Sequence, residues 1–191
     1  MSQRHDPDDA LLDAVRECVM AVGVRRTTLT DVARRAGVSR MTVYRRFPDV
    51  AGLLQALMTR EFAALVVDVA AGPVDRPTAR ERFVAGVVAG AERLASDPLF
   101  RRILDVDPEL ILPYVVQRYG AFQHVALDAL AAQIEASDDA SFRPGDPREL
   151  AATVELLLRG WVVGALAEPP PGGRPAVLAE IATTLDRGLA P

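Results

Sequence analysis

With 191 residues, half of them apolar, the chain has enough material for one small and one larger helical domain with a sizeable core. Its net charge of −4 comes from 22 arginines and 26 acids without one lysine; the single cysteine, Cys18, excludes an intramolecular disulfide and fits a reducing cytoplasm. No apolar stretch is free enough of charge and proline to span a membrane, and the polar, acidic start MSQRHDPDD gives no reason to expect a signal peptide.

Helix starts are marked by a repeated Asp-Pro device, the Asp capping and the Pro pre-organised for the first helical position. It occurs at Asp6-Pro7, Asp97-Pro98, Asp107-Pro108 and Asp146-Pro147, and Thr78 with Glu81 forms a further capping box. Helix 1 is expected from about Pro7 to Val22, burying Leu11 or Leu12, Val15, Val19 and Val22, with Gly23 ending it. Two short helices follow within TLTDVARRAGVSRMTVYRRF, from Thr28 to Phe47. Thr28 and Asp31 read as a capping box for the first. Val32, Ala33 and Ala36 form its buried stripe, and Gly37 supplies its positive-φ end. Val38 plugs the corner, Ser39 caps the second helix, and Val43 and Phe47 face inward. Helix 4 runs from Asp49 to near Gly72-Pro73, about 22 residues or roughly 33 Å at the standard rise. Helix 5 carries the stripe Phe83, Val84, Val87, Val88, Ala91 and Leu94; a short helix starts at Pro98. The segment from Pro108 to Ala136 contains Pro113, so a kink, a break or a start near Leu112 is expected there. After the loop SDDASFRPG come helix 8, Pro147 to about Ala167, the breaker-rich EPPPGGRP, and helix 9, about Ala176 to Leu189. No alternating β-branched run appears. The expected fold class is all-α, about nine helices, with a helix-turn-helix head over residues 1–48 and a larger helical body over 49–191.

The exposed face of the second short helix offers Arg40, Met41, Thr42, Tyr44, Arg45 and Arg46: guanidinium forks, a hydroxyl and a phenol of the kind that read base edges and phosphates. Between Arg25 and Arg46 there are seven arginines and one acid, Asp31. An ordinary solvated helical corner would mix its signs. The first 60 residues hold ten arginines against seven acids and the remainder twelve against nineteen, a basic head on an acidic body. That division suits docking on a polyanion by one end.

The stretch resembles the DNA-binding domain of the TetR (tetracycline repressor) family of bacterial transcriptional regulators. The matching residues are Gly23, Thr27-Thr28, Asp31-Val32-Ala33, Ala36-Gly37-Val38-Ser39, Thr42-Val43-Tyr44, Arg46-Phe47 and Leu53-Leu54, over roughly a quarter of the chain. Where the family often places a Lys shortly after the Phe, this chain has Pro48-Asp49-Val50, which leaves Arg45 or Arg46 to meet that phosphate. The resemblance implies DNA contacts from Thr28, Thr30, Ser39, Arg40, Met41, Thr42, Tyr44, Arg45 and Arg46, with Arg40 the leading base contact and Thr28, Thr42 and Tyr44 holding phosphates. It implies a double-stranded operator, a homodimer and a small-molecule effector, in a repressor rather than an activator. The last helical pair would build an intersubunit four-helix bundle from Val154, Leu157, Leu158, Val162, Val177, Leu178, Ile181 and Leu185. The body would enclose an inducer pocket, for which the aromatic and polar-tipped candidates are Phe62, Phe83, Phe100, Tyr114, Phe122, His124 and Trp161.

No catalytic motif of the hydrolase, phosphate-loop, dinucleotide or dithiol type is present, and the carboxylates sit mostly at helix starts, where capping explains them. With two histidines and one cysteine, no metal site and no cofactor are expected. The alternative is a helical small-molecule-binding or protein-interaction module without DNA binding, which leaves the arginine-rich turn unexplained. Salt-dependent retention on duplex DNA separates the two.

Overall fold

The computed structural model describes residues 7–70, 75–113 and 117–191, and among these the regular structure is entirely helical. The elements are α1 (Pro7–Val22), α2 (Leu29–Arg35), α3 (Arg40–Arg46), α4 (Val50–Ala70), α5 (Ala79–Ser96), α6 (Pro98–Val106), α7 (Ala121–Glu135), α8 (Pro147–Val163) and α9 (Arg174–Leu189). Single 3₁₀ turns occupy Pro108–Leu110 and Gly164–Leu166. No described helix is long and apolar enough to cross a membrane. The chain divides into two compact units, residues 1–61 with 98–117, and residues 62–97 with 118–191.

The first unit is built around the inner face of α1. Leu11, Val15 and Val19 are fully buried and share one core with Val32 of α2, Val43 of α3, Leu53 and Leu57 of α4, and Leu99 and Ile103 of α6. This unit is larger than the expected head of residues 1–48, because three short helices cannot close such a core alone. The first half of α4 and all of α6 supply its remaining apolar walls. Val22, expected inside, is 43% exposed: it lies in the last turn of α1, beyond the packed stripe. Gly23 then takes φ +83°, where a Cβ would come within 2.9 Å of Val106 Cγ1.

Asp107 departs from its expected capping role. The turn it precedes is 3₁₀, and its side chain makes no cap. Only 1% exposed, the carboxylate accepts the Val24 N–H at 2.7 Å, fastening the α1–α2 corner to the end of α6. The other Asp-Pro starts behave differently. Pro98 opens α6, and Asp146 accepts the Arg148 N–H at 2.8 Å to cap α8; Asp6 lies outside the described residues.

The second unit packs α5 against α7, α8 and α9. Thr78 and Glu81 form the complete reciprocal box at the start of α5. Phe83, Val84, Val87 and Ala91 are buried, with Val88 and Leu94 half-buried. Leu112 and Pro113 are helical and the Gln117 N–H reaches Pro113 O at 3.0 Å, in keeping with the start expected near Leu112. The next described helix, α7, begins at Ala121 with Gln123 accepting the Gly120 N–H at 2.8 Å. Helix 8 gives way to a 3₁₀ turn after Val163, and α9 starts two residues early, at Arg174. Arg80 staples three elements, donating to Ser141 O at 3.0 Å, to Asp186 O at 2.7 Å and to the Asp186 carboxylate.

The residues expected at a subunit seam differ in their burial within one chain. Val154, Leu158, Val162, Leu178 and Leu185 are all less than 9% exposed within one chain, because they form the α8–α9 face turned to the unit's own core. Leu157 at 47% exposure, with half-buried Val177 and Ile181, remains on the outer face.

Candidate nucleic-acid interface

The helix-turn-helix is assembled by local chemistry. Thr28, extended at φ −117°, ψ 152°, accepts the Asp31 N–H at 3.1 Å and starts α2. The reciprocal half of the expected box is absent: the short Asp31 side chain takes the Thr28 hydroxyl at 2.6 Å rather than the Thr28 backbone N–H. Its other oxygen accepts from Arg34 at 2.7 Å. The Thr28 hydroxyl, then Arg34, hold the Asp31 carboxyl below the ordinary carboxylate value. With its only hydroxyl proton given to Asp31, Thr28 has no side-chain donor left for a phosphate in this arrangement.

Gly37 turns the chain at φ +68°, and the Val38 N–H closes the corner on Ala33 O at 3.0 Å. Ser39 caps α3 by accepting the Thr42 N–H at 3.1 Å, and the two hydroxyls lie 2.8 Å apart. Either can donate to the other, which leaves one hydroxyl proton of the pair for an outside acceptor. With Val43 fully buried and Phe47 half-buried behind it, α3 has one inward edge; Arg40, Met41, Tyr44 and Arg45 point to solvent. Met41 is 74% and Tyr44 51% exposed, so both side chains are open to a partner. Thr30 is half-buried on α2.

The seven arginines fall into two groups. Arg25 pairs with Glu109 and approaches Asp107 at 3.8 Å; Arg34 pairs with Asp31; Arg35 pairs with Glu17 at 3.0 Å; Arg46 pairs with Asp8 of α1. Arg26, Arg40 and Arg45 have no ion-pair partner among the described residues. Arg46 is therefore engaged by the protein's own carboxylate, and Arg45 is the free arginine at the end of α3. Sequence reasoning passed over both Arg26 and the Asp107 contact. The latter joins residues 83 apart, beyond any spacing rule.

The candidate pocket residues are divided between the two units. Phe100 belongs to the first unit, where it is buried on α6, and Tyr114 lies outside the described residues. Phe83 meets Phe142 edge-on at 5.6 Å, which makes it a packing residue under the α7–α8 loop. Phe62 and Phe122 are in ring contact at 4.5 Å. Near Phe122 on α7 stand Tyr119, with Arg159 over its ring at 4.8 Å, and Gln123, 3.2 Å from Glu155. His124 is exposed, 5.8 Å from the Tyr119 ring. Arg159 donates to Glu155 at 3.0 Å, and this pair is more than four-fifths buried at both side chains. At Trp161, Arg174 covers the ring at 3.9 Å, and the buried indole N–H has no acceptor among the described residues. On the outer face, Leu157, Val177, Glu180, Ile181 and Thr184 line an open recess of about 190 Å³. No group of three metal-ligating side chains occurs among the described residues.

Comparison with known proteins gives this geometry its context. Residues 11–57 match the family model described as bacterial regulatory proteins, tetR family. The chain is 38% identical over 165 residues to the uncharacterised HTH-type transcriptional regulator Mb2274c of Mycobacterium bovis, covering 86% of this chain and 84% of that one. Its fold is similar to the crystal structure of the TetR family repressor AlkX from Dietzia, implicated in n-alkane biodegradation, at TM-score 0.69 and 21% identity over 97% of this chain and 98% of that one. It is also similar to SmeT in complex with triclosan, at TM-score 0.63 and 21% identity over 97% and 92%. A match of family model and of a relative over most of both chains, on a capped helix-turn-helix with outward arginines, does not favour the module without DNA binding. The chain belongs to the TetR family of bacterial transcriptional regulators, with α2 and α3 as its DNA-binding helix-turn-helix.

Proposed function

We propose that the protein is a homodimeric repressor that holds a palindromic operator and releases it when a small apolar or aromatic effector binds its helical body. The observation that carries the operator half of this reading is the outward face of α3, where Arg40 and Arg45 have no acid partner among the described residues and Met41 and Tyr44 stand exposed. One such face reads only one half-site, and tight recognition calls for two related by a dyad. The outer face of α8 and α9, with Leu157, Val177 and Ile181 around an apolar recess, is the self-complementary surface we assign to the dimer.

For the effector, the Phe62–Phe122 pair and the buried Glu155–Arg159 pair beside Tyr119 and Gln123 supply an apolar wall with a few polar anchors. SmeT's complex with triclosan, an aromatic compound, is in keeping with that composition. The effector must bind the DNA-incompetent arrangement more tightly than the competent one, or nothing switches. In this reading α4, whose residues belong to both units, carries that preference by changing the spacing of the two heads.

The test has three parts on one preparation: selection of bound sites from random duplexes, sedimentation of the free protein, and operator titration with hydrophobic metabolites that raise the melting temperature. A palindromic motif, a dimer at micromolar concentration and at least one stabilising compound that weakens operator binding are expected. A monomer, or stabilising compounds that all leave operator affinity unaltered, would refute the reading.

A further inference from the structure

The α1–α2 turn carries two adjacent arginines that the fold treats in opposite ways. Arg25 is drawn onto Glu109 and Asp107. Its neighbour Arg26 is exposed and has no acid to pair with among the described residues. The backbone on either side of Arg26 is fixed: Val24 N–H to Asp107 at 2.7 Å, Thr27 N–H to Val24 O at 3.0 Å, and the buried Thr27 hydroxyl to Gly23 O at 2.8 Å. A free guanidinium on a locked turn is a pre-organised anion contact, since only side-chain freedom is lost on binding.

We propose that Arg26 is a DNA phosphate contact of this protein, made from the α1–α2 turn and separate from the contacts of α3; the proposal rests on the DNA-binding reading above. Three observations support it. Arg26 stands two residues ahead of Thr28, the cap of α2. In a helix-turn-helix the first helix of the motif crosses the sugar–phosphate backbone, so the turn that enters it travels with a strand rather than with the groove floor. Second, a paired arginine that turned to DNA would leave its acid uncompensated beside the phosphates, which disfavours Arg34, Arg35 and Arg46 relative to Arg26. Third, the segment after α3 brings no cation: Pro48 and Asp49 follow Phe47, and Asp49 is occupied in accepting the Gly52 N–H at 2.8 Å. Charge missing at that end of the motif is present at the other. A phosphate contact of this sort positions the protein without reading sequence.

The test is titration of the full-length protein with its selected operator and with a random duplex of equal length, each over a series of salt concentrations. Arg26→Ala should reduce the slope of log K against log salt by about 0.9 for each bound head and weaken both duplexes by the same factor. Arg26→Lys should keep most of the slope. Arg34→Ala, which removes an arginine already tied to Asp31, should change the slope less. A folded Arg26→Ala protein, checked by its circular-dichroism melt, that keeps the wild-type slope would overturn the proposal. So would a loss confined to the operator, which would make Arg26 a base contact. A wild-type protein without salt-dependent binding to either duplex would instead refute the DNA-binding reading, and this proposal with it.

Discussion

Replacing Asp107 with alanine should destabilise the DNA-binding unit by about 1–3 kcal/mol, the cost of leaving a buried donor without its acceptor. Val24 is 7% and Asp107 1% exposed, so water cannot replace the lost 2.7 Å bond without opening the corner. The ion pair with Arg25 contributes little to this figure, because that side chain is 68% exposed and solvent screens it. Asp107→Asn keeps an acceptor oxygen of the same shape and loses only the charge assistance, so it should cost about half as much. The order wild type, Asn, Ala should appear in urea midpoints followed by circular dichroism, and as graded loss of hydrogen-exchange protection at the Val24 amide. An alanine variant with the wild-type midpoint and an equally protected Val24 amide would refute the reasoning. A mere loss of midpoint without loss of protection at Val24 would place the effect elsewhere.

Arg40→Ala should cost about 1–3 kcal/mol on the best operator and relax one position in each half-site, as read by repeating the site selection; an unchanged motif removes Arg40 as a base contact. Leu157→Asp should leave the monomer folded, since the side chain is already 47% exposed, yet shift the sedimenting species from dimer to monomer and cost operator affinity. Val154→Asp, at a fully buried site, should instead unfold the unit, and dissociation by Leu157→Asp failing to appear would free that face of the assignment. Asp139 is held below the ordinary carboxylate value by the Ser141 hydroxyl and the Ala79 N–H. Because its folded pKa is the lower one, its contribution is present at neutral pH and lost as pH falls through the folded value, below about 3.9. Asp139→Asn should therefore flatten the acid limb of a stability–pH curve and leave its neutral-to-basic limb in shape; a steeper acid limb would contradict the sign.

What the sequence determined by itself was everything written in neighbouring residues. Gly23 and Gly37 mark positive-φ ends; Thr28, Ser39, Thr78 and Asp146 mark starts; the arginine run marks the DNA-facing stretch. Caps and turns depend on atoms three or four residues apart, so spacing suffices to find them, and the family pattern rests on the same local signals. Tertiary structure decided whatever depends on which distant surfaces meet. Asp107 carries the same Asp-Pro signature as Asp146, yet its carboxylate goes to Val24, because a buried N–H 83 residues away needs it more than the short turn that follows. The apolar breadth of α8 could not say which residues faced inward; only packing on α5, α7 and α9 assigned Val154 and Leu158 to the core and left Leu157 outside. Likewise Arg45 and Arg46 are identical in sequence terms, and the position of Asp8 on α1 alone separates them. Periodicity fixes the face a residue occupies on its helix, while charge pairing and burial across helices are properties of the fold, because they require the partner to be there.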